Sequence, residues 1–248
     1  MTEGLLRKEQ VEQTFSRYVS PNVAKEVLEH LERVELGGRH IKASVLFADI
    51  VGFTSMSENM QPDEVSELLN EYFSYIAQAA HEYNGHVDKY IGDCAMLVFG
   101  VPTQDPDHQF NAAACGVLIQ RLVSRLNSQR TERGLTPVQF RIGINSGIML
   151  AGNMGSTERM EYTVVGDAVN LGSRLASVGS PGQVVITEEM YNLAGLAPRI
   201  RAEQLGTIRL RGKRKPVATY LVQDVARDHR KDLESKLDKV LESPSASL

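Results

Sequence analysis

The chain has 248 residues, 42% of them apolar and 23% charged, with a formal net charge of −4. That length suits one large α/β domain with extra segments, or two small domains, of ordinary globular composition. The mild acidity argues against a general nucleic-acid binder, which would carry a basic face, but leaves room for a local basic pocket around a phosphorylated ligand. No apolar run reaches transmembrane length and no signal peptide is visible. Cys94 and Cys115 fall in a predicted strand and a predicted helix, as reduced core residues would. The expected compartment is therefore the cytoplasm. The histidines show no metal-ligand spacing.

The N-terminus reads as helical, with Leu5, Val11, Phe15 and Val19 roughly on one face. Ser20-Pro21 then starts a fresh helix, with serine as N-cap and proline at the first helical position, until Gly37-Gly38 breaks the pattern. Residues 1–36 are thus expected to be signalling or transducing helices. A strand is predicted over 41–49 and a helix from Pro62 to about Tyr83, striped by Val65, Leu68, Leu69, Tyr72, Phe73 and Ile76. Asn84-Gly85 signals a turn. HVDKY and CAMLVFG then flank a hairpin with Gly92-Asp93 at its tip.

A helix over 107–128 precedes the strand QFRIGINSGIMLAG, which has Arg141 near its start, and a short strand at 159–165. A helix from about 167, a strand running into a short helix at VVITEEMYNLA, and strands near 199–210 and 217–223 complete the core. The expected class is α+β, a ferredoxin-like sandwich with helices over a mostly antiparallel sheet. Residues 225–248 form a charged C-terminal tail. Leu233, Leu237, Val240 and Leu241 share a face, which suits either a docking helix or a solvated tail fraying after Ser243.

The stretch VLFADIVGFT, residues 45–54, poses a chemical problem. Asp49 interrupts a buried strand, where an unpaired carboxylate is costly. Asp93 also sits at a strand end beside a glycine, and the two carboxylates converge if the hairpin neighbours the first strand. Two such groups repel unless they share a proton or a cation. Mg²⁺ is held by one or two carboxylates with substrate phosphates, and the Ile50 carbonyl is a further candidate ligand. The expected partner of Asp49 is therefore metal rather than a side chain. The alternative is a pair of structural turn or N-cap aspartates. V-G-F-T-S opens a helix at about Thr54, whose free N–H groups suit phosphate, while Thr54 as a plain N-cap is compatible with that role. Neither a Walker A nor a G-x-G-x-x-G frame occurs.

VLFADIVGFTSMSE, DKYIGDCAMLVF, FRIGINSGIMLAGNMGS and YTVVGDAVNLGSRLAS together resemble the class III nucleotidyl cyclase catalytic domain, over about residues 40–224. FSRYVSPNVAKEVL is similar to the short transducing helix that precedes this domain in many bacterial members. The resemblance implies that Asp49 and Asp93 bind two Mg²⁺ or Mn²⁺ ions, that Asn170 orients the ribose, and that Arg174 stabilises charge on the α-phosphate. Spaced by one helical turn, Asn170 and Arg174 share a helix face. Arg141 implies a contact to the terminal phosphates. Lys213 implies a second, from the loop RLRGKRKP that Arg211, Arg214 and Lys215 also crowd. Phe53 and Thr54 offer backbone N–H groups to phosphate.

Lys89 matches the position that reads the purine edge, where a lysine donor suits adenine N1. Thr163 stands where many adenylyl cyclases have aspartate, so the Lys-Thr pair resembles the subclass called class IIIb. A surface salt bridge from Lys89 to Asp88 or Asp93 and an ordinary strand role for Thr163 are the plain alternatives. The implied activity is conversion of ATP to 3′,5′-cyclic AMP and pyrophosphate in a head-to-tail homodimer. An upstream sensor or membrane domain fits the same resemblance. The rival readings are a guanylyl cyclase and a non-catalytic nucleotide-binding dimerisation module.

Overall fold

A computed structural model describes residue 20 and residues 23–25, 35–193, 195–209 and 215–243. Most of the predicted N-terminal helical region lies outside the described residues, as does Lys213. At its one described start, the Ser20 hydroxyl accepts a 3.4 Å bond from the Val23 N–H, the predicted serine cap.

The elements run β1 (Gly37–Ile50), α1 (Phe53–Ser57), α2 (Pro62–Glu82), β2 (Gly85–Ile91), β3 (Cys94–Phe99), α3 (His108–Glu132), β4 (Phe140–Gly155), β5 (Met160–Val165), α4 (Asp167–Val178), β6 (Val184–Thr187), α5 (Glu188–Tyr191), β7 (Ile200–Ile208), β8 (Val217–Val225) and α6 (Arg227–Leu241). They build an eight-stranded sheet in the order β2-β3-β1-β4-β6-β8-β7, with β5 added to β4. Every described pairing is antiparallel except β4 with β6. The α+β expectation holds.

Local sequence accounts for the main boundaries. Pro62 sits in the first turn of α2, and the Gln61 N–H donates to the Glu64 carboxylate at 2.7 Å, half of a capping box. Leu68, Tyr72, Phe73, Ile76, Ala79 and Ala80 then fall at helical spacing on its buried face. Asn84 takes a left-handed φ of 55° at the predicted turn. The hairpin tip is Gly92-Asp93, with Gly92 at φ 61°, a conformation glycine adopts without steric cost. The helix after β1 begins at Phe53 rather than Thr54. Gly52, at φ 68°, occupies the N-cap position, and Thr54 is not the cap.

β1 is sandwiched, which is why its sequence is nearly continuous in apolar residues rather than alternating. Its even positions Leu46, Ala48 and Ile50 join a core built with α2, α3 and α6. Its odd positions Ile41, Ala43, Val45 and Phe47 join a second core with Val164 of β5 and Val169 and Ala176 of α4. Asp49 continues the odd series and so faces the α4 side. Leu233, Leu237 and Val240 of α6 are buried in the first core, so this helix docks on its own chain.

Helix α4 settles on the sheet through two glycines. A Cβ on Gly143 would lie 2.1 Å from the Ala176 nitrogen, and one on Gly172 would lie 3.0 Å from Val45 Cγ2. At Gly143 backbone meets backbone, and at Gly172 the helix backbone meets the Val45 and Phe47 side chains, which sets the height of α4 above β4 and β1.

Candidate active site

Strand register assembles the first group of residues. Asp49 lies opposite Cys94 on one neighbouring strand and opposite Arg141 on the other. Directly opposed residues point to one face of a sheet. Arg141 Nε accordingly donates to Asp49 Oδ2 at 2.7 Å, and its Nη1 donates to the Ser177 carbonyl of α4 at 3.1 Å. The expectation that Asp49 lacks a side-chain partner is corrected here: Arg141 is that partner. Arg141, the residue expected on the terminal phosphates, bonds the Asp49 carboxylate in this structure. The two residues are separated by 92 positions, and only the β1–β4 register makes them neighbours.

Asp93 joins this group through the hairpin tip. Burial raises its carboxyl above the usual carboxylate range; the charge of Asp49 raises it further and Arg141 opposes both. Asp49 and Asp93 therefore share one electrostatic site. Burial, with both carboxylates adding, pushes the Cys94 thiol up to about 12, which leaves it protonated and unreactive. Ile50 closes β1, with a side chain only 2% exposed.

Two hard oxygen donors whose charges repel, and which have drawn in one cation already, fit divalent Mg²⁺ or Mn²⁺. No group of three or more His, Cys, Asp and Glu side chains able to hold a metal ion occurs among the described residues. The remaining ligands would be backbone carbonyls and phosphate oxygens, as is usual for Mg²⁺.

A second group forms between β2 and β5. The β2–β3 ladder pairs Val87 with Leu97 and Lys89 with Met96, so Asp88 is the extra residue of a β-bulge. In a regular strand Asp88 and Lys89 would face opposite sides; a bulge re-aims its side chains. Both reach β5. Thr163 Oγ1 donates to Asp88 Oδ2 at 2.7 Å, and Lys89 Nζ lies 2.7 Å from Glu161 and 3.4 Å from Asp88. The Asp88 side chain is 2% exposed. Burial raises its carboxyl, opposed by the Thr163 hydrogen bond and by Lys89. The predicted pair Lys89 and Thr163 thus meets through a carboxylate that sequence reasoning had weighed only as a salt-bridge partner. The adjacent Asp-Lys dipeptide was the visible signal.

The third group lies on α4. Asn170 is exposed and Arg174 half-buried, while Val169, Leu171, Gly172, Leu175 and Ala176 face inward. Phe53 is half-buried and Thr54 exposed in the first turn of α1, which lacks a side-chain cap. Among the described residues, no hydrogen bond or ion pair links Asn170 or Arg174 to the Asp49 group or to the Lys89 group. A cleft of about 600 Å³ lined by His40, Lys42, Asp105 and His108 contains none of these residues.

Comparison with known proteins gives the arrangement a context. Residues 37–224 match the family described as the adenylate and guanylate cyclase catalytic domain. An uncharacterized protein of Mycobacterium tuberculosis is 33% identical over 220 residues, covering 88% of this chain and 39% of that protein. This chain therefore spans well under half the length of that relative. The adenylyl cyclase CyaB from P. aeruginosa is 36% identical in its crystal structure, with a TM-score of 0.73 over 78% of this chain and 99% of that one. The guanylyl cyclase Cya2 is also 36% identical, with a TM-score of 0.71 over 77% of this chain and 96% of that one.

Proposed function

This chain belongs to the adenylate and guanylate cyclase catalytic-domain family, and from that premise we propose that it is an adenylyl cyclase acting as a homodimer. The reaction is ATP to 3′,5′-cyclic AMP and pyrophosphate. The ribose 3′-oxygen forms a bond to the α-phosphorus, the bond from that phosphorus to the bridging α–β oxygen breaks, and the 3′-hydroxyl proton passes to solvent.

The observation that carries the choice of adenine is the joining of Lys89 and Thr163 in one cluster. Lysine is only a donor, which suits the acceptor N1 of adenine and opposes the N1–H of guanine. Threonine accepts from the adenine amino group. Asp49 and Asp93, with the Ile50 carbonyl, would hold two divalent cations. When bound, such ions neutralise phosphate charge and acidify the attacking hydroxyl. Arg141 has a guanidinium within reach of this site, and turning from Asp49 to the terminal phosphates would exchange one anion for another. Lys213 would add a second cation, and the N–H groups of Phe53 and Thr54 would bind phosphate oxygens.

Arg174 would stabilise the charge that develops on the α-phosphate, and Asn170 would orient the ribose. Asn170 is exposed and Arg174 half-buried on α4, and neither bonds the carboxylates of its own chain among the described residues, which supports their acting on a nucleotide held by those of a second copy. The mild net acidity favours a nucleotide over a nucleic acid as partner.

Guanylyl cyclase is the second reading, favoured by the equal identity to Cya2. Turnover of ATP and of GTP by purified protein, with Mg²⁺ and with Mn²⁺, across protein concentration, tests the proposal. The expected result is cyclic AMP in excess of cyclic GMP, with specific activity rising as the protein is concentrated. A preference for GTP overturns it.

A further inference from the structure

We propose that Asp88 is a positioning residue that sets base specificity by fixing the Thr163 hydroxyl as a hydrogen-bond acceptor toward the purine. The inference rests on the adenylyl cyclase reading above and deepens it. A threonine hydroxyl has one proton to donate and two lone pairs to accept with. Left free to rotate, it satisfies the amino group of adenine or the carbonyl oxygen of guanine equally well. A threonine by itself is therefore a poor discriminator at the purine 6-position.

Asp88 removes that freedom. An ionised carboxylate accepts only. At 2.7 Å from Asp88 Oδ2, Thr163 Oγ1 has its single proton committed, and what remains for a ligand is lone pairs. An adenine amino group meets an acceptor there. A guanine O6 meets lone pairs with no proton between, an unsatisfied contact of the kind that gives enzymes their largest discrimination. Lys89 at 3.4 Å opposes the rise that burial gives the Asp88 carboxyl, and Glu161 at 2.7 Å fixes the lysine in turn.

The backbone supports the assignment. Asp88 is the bulged residue of β2, so adjacent Asp88 and Lys89 address Thr163 and Glu161, which are two apart on β5 and share a face. A regular strand would send one of the two away. The Asp88 side chain is 2% exposed and Thr163 is 5% exposed, so both lie beneath the surface of this chain, and Asp88 acts through the hydroxyl it holds.

The experiment compares wild type, Asp88→Asn and Asp88→Ala. It uses kcat/KM for ATP and GTP, dissociation constants of non-hydrolysable ATP and GTP analogues, and thermal midpoints. The asparagine amide can accept through Oδ1 or donate through Nδ2, so the Thr163 hydroxyl is no longer held to one polarity. Asp88→Asn is expected to lower the ATP-to-GTP ratio at least tenfold, with the GTP term rising, in both turnover and binding. Asp88→Ala, which leaves the hydroxyl free, should move the ratio in the same direction if the asparagine variant does not fold. Combining either change with Thr163→Val should add no further loss of ratio, since the effect runs through that hydroxyl. Parallel losses for ATP and GTP, or a ratio within twofold of wild type in a folded variant, would show a merely structural role and overturn the inference. Wild-type protein that turns over neither nucleotide defeats the adenylyl cyclase reading alone, and the analogue-binding ratio still decides the role of Asp88. Wild type that prefers GTP overturns both.

Discussion

Arg141 and Asp49 form a 2.7 Å ion pair across the β1–β4 ladder, at the end of the strand where Asp93 arrives from the hairpin. The guanidinium acts as the counter-ion of Asp49, so it and a divalent cation would compete for that carboxylate. Arg141→Ala should therefore act in two opposite directions. The nucleotide KM should rise by about ten- to a hundredfold, from loss of a charge-assisted contact to phosphate worth roughly 1.5–3 kcal/mol. The Mg²⁺ concentration for half-maximal rate should fall, because the competing cation is gone. Steady-state kinetics with metal and nucleotide varied independently separate the two, and a KM that does not move removes Arg141 from the phosphate site.

A site shared between copies has a stoichiometric signature. Asp49→Asn and Arg174→Ala should each lower kcat by two orders of magnitude or more, about what loss of a transition-state charge contact costs. Mixed in equal amounts, they form heterodimers with one intact site, and random exchange restores about one quarter of wild-type activity. No recovery despite heterodimers proven by differently tagged chains would sink the shared site.

The backbone contact at Gly143 leaves no room for a methyl group, since its Cβ would sit 2.1 Å from the Ala176 nitrogen. Gly143→Ala should lift α4, with a loss of about 1–3 kcal/mol in stability typical of overpacking. It should also lower kcat more than KM, because Asn170 and Arg174 ride on that helix. Urea unfolding beside kinetics checks this. Gly134→Ala, which has open space around its Cβ but strains the backbone at φ +72°, is the comparison that should lose stability while leaving kcat unchanged.

His86 gives the fold an acid limit. It is 7% exposed, its Nδ1 has no hydrogen-bond partner among the described residues, and burial lowers its pKa from 6.5 to about 4. The folded state thus holds it neutral where the unfolded chain takes up a proton. Its contribution is complete above pH 6.5 and is lost progressively as pH falls toward 4. Stability should drop by about 2 kcal/mol between pH 7.5 and 5 from this group. Burial lowers the pKa of His108 too, with the same sign, whereas the raised carboxyls of Asp88 and Asp93 act in the opposite sense as pH rises. The difference between wild type and His86→Leu isolates the one group. Parallel pH profiles of the two urea midpoints would disprove it.

The sequence by itself determined the alternation of elements and the family. Periodicity in α2, the Asn84-Gly85 turn and the Gly92-Asp93 tip are local signals, set by a few neighbouring residues and their backbone preferences. So are the individual candidates: a carboxylate stranded in an apolar run is visible without knowing what lies beside it. The tertiary structure decided partners. Asp49 meets Arg141 only because β1 and β4 pair in one particular register, and a one-residue slip would send them to opposite faces. Asp88 shows the same limit more sharply. Strict alternation would place it and Lys89 on opposite sides of β2, and a single bulged residue reverses that, which no periodicity reveals. Hydrogen-bond polarity at Thr163 depends on that bulge, so the distinction between two purines, if it lies there, is a property of long-range backbone geometry rather than of the residue pair alone.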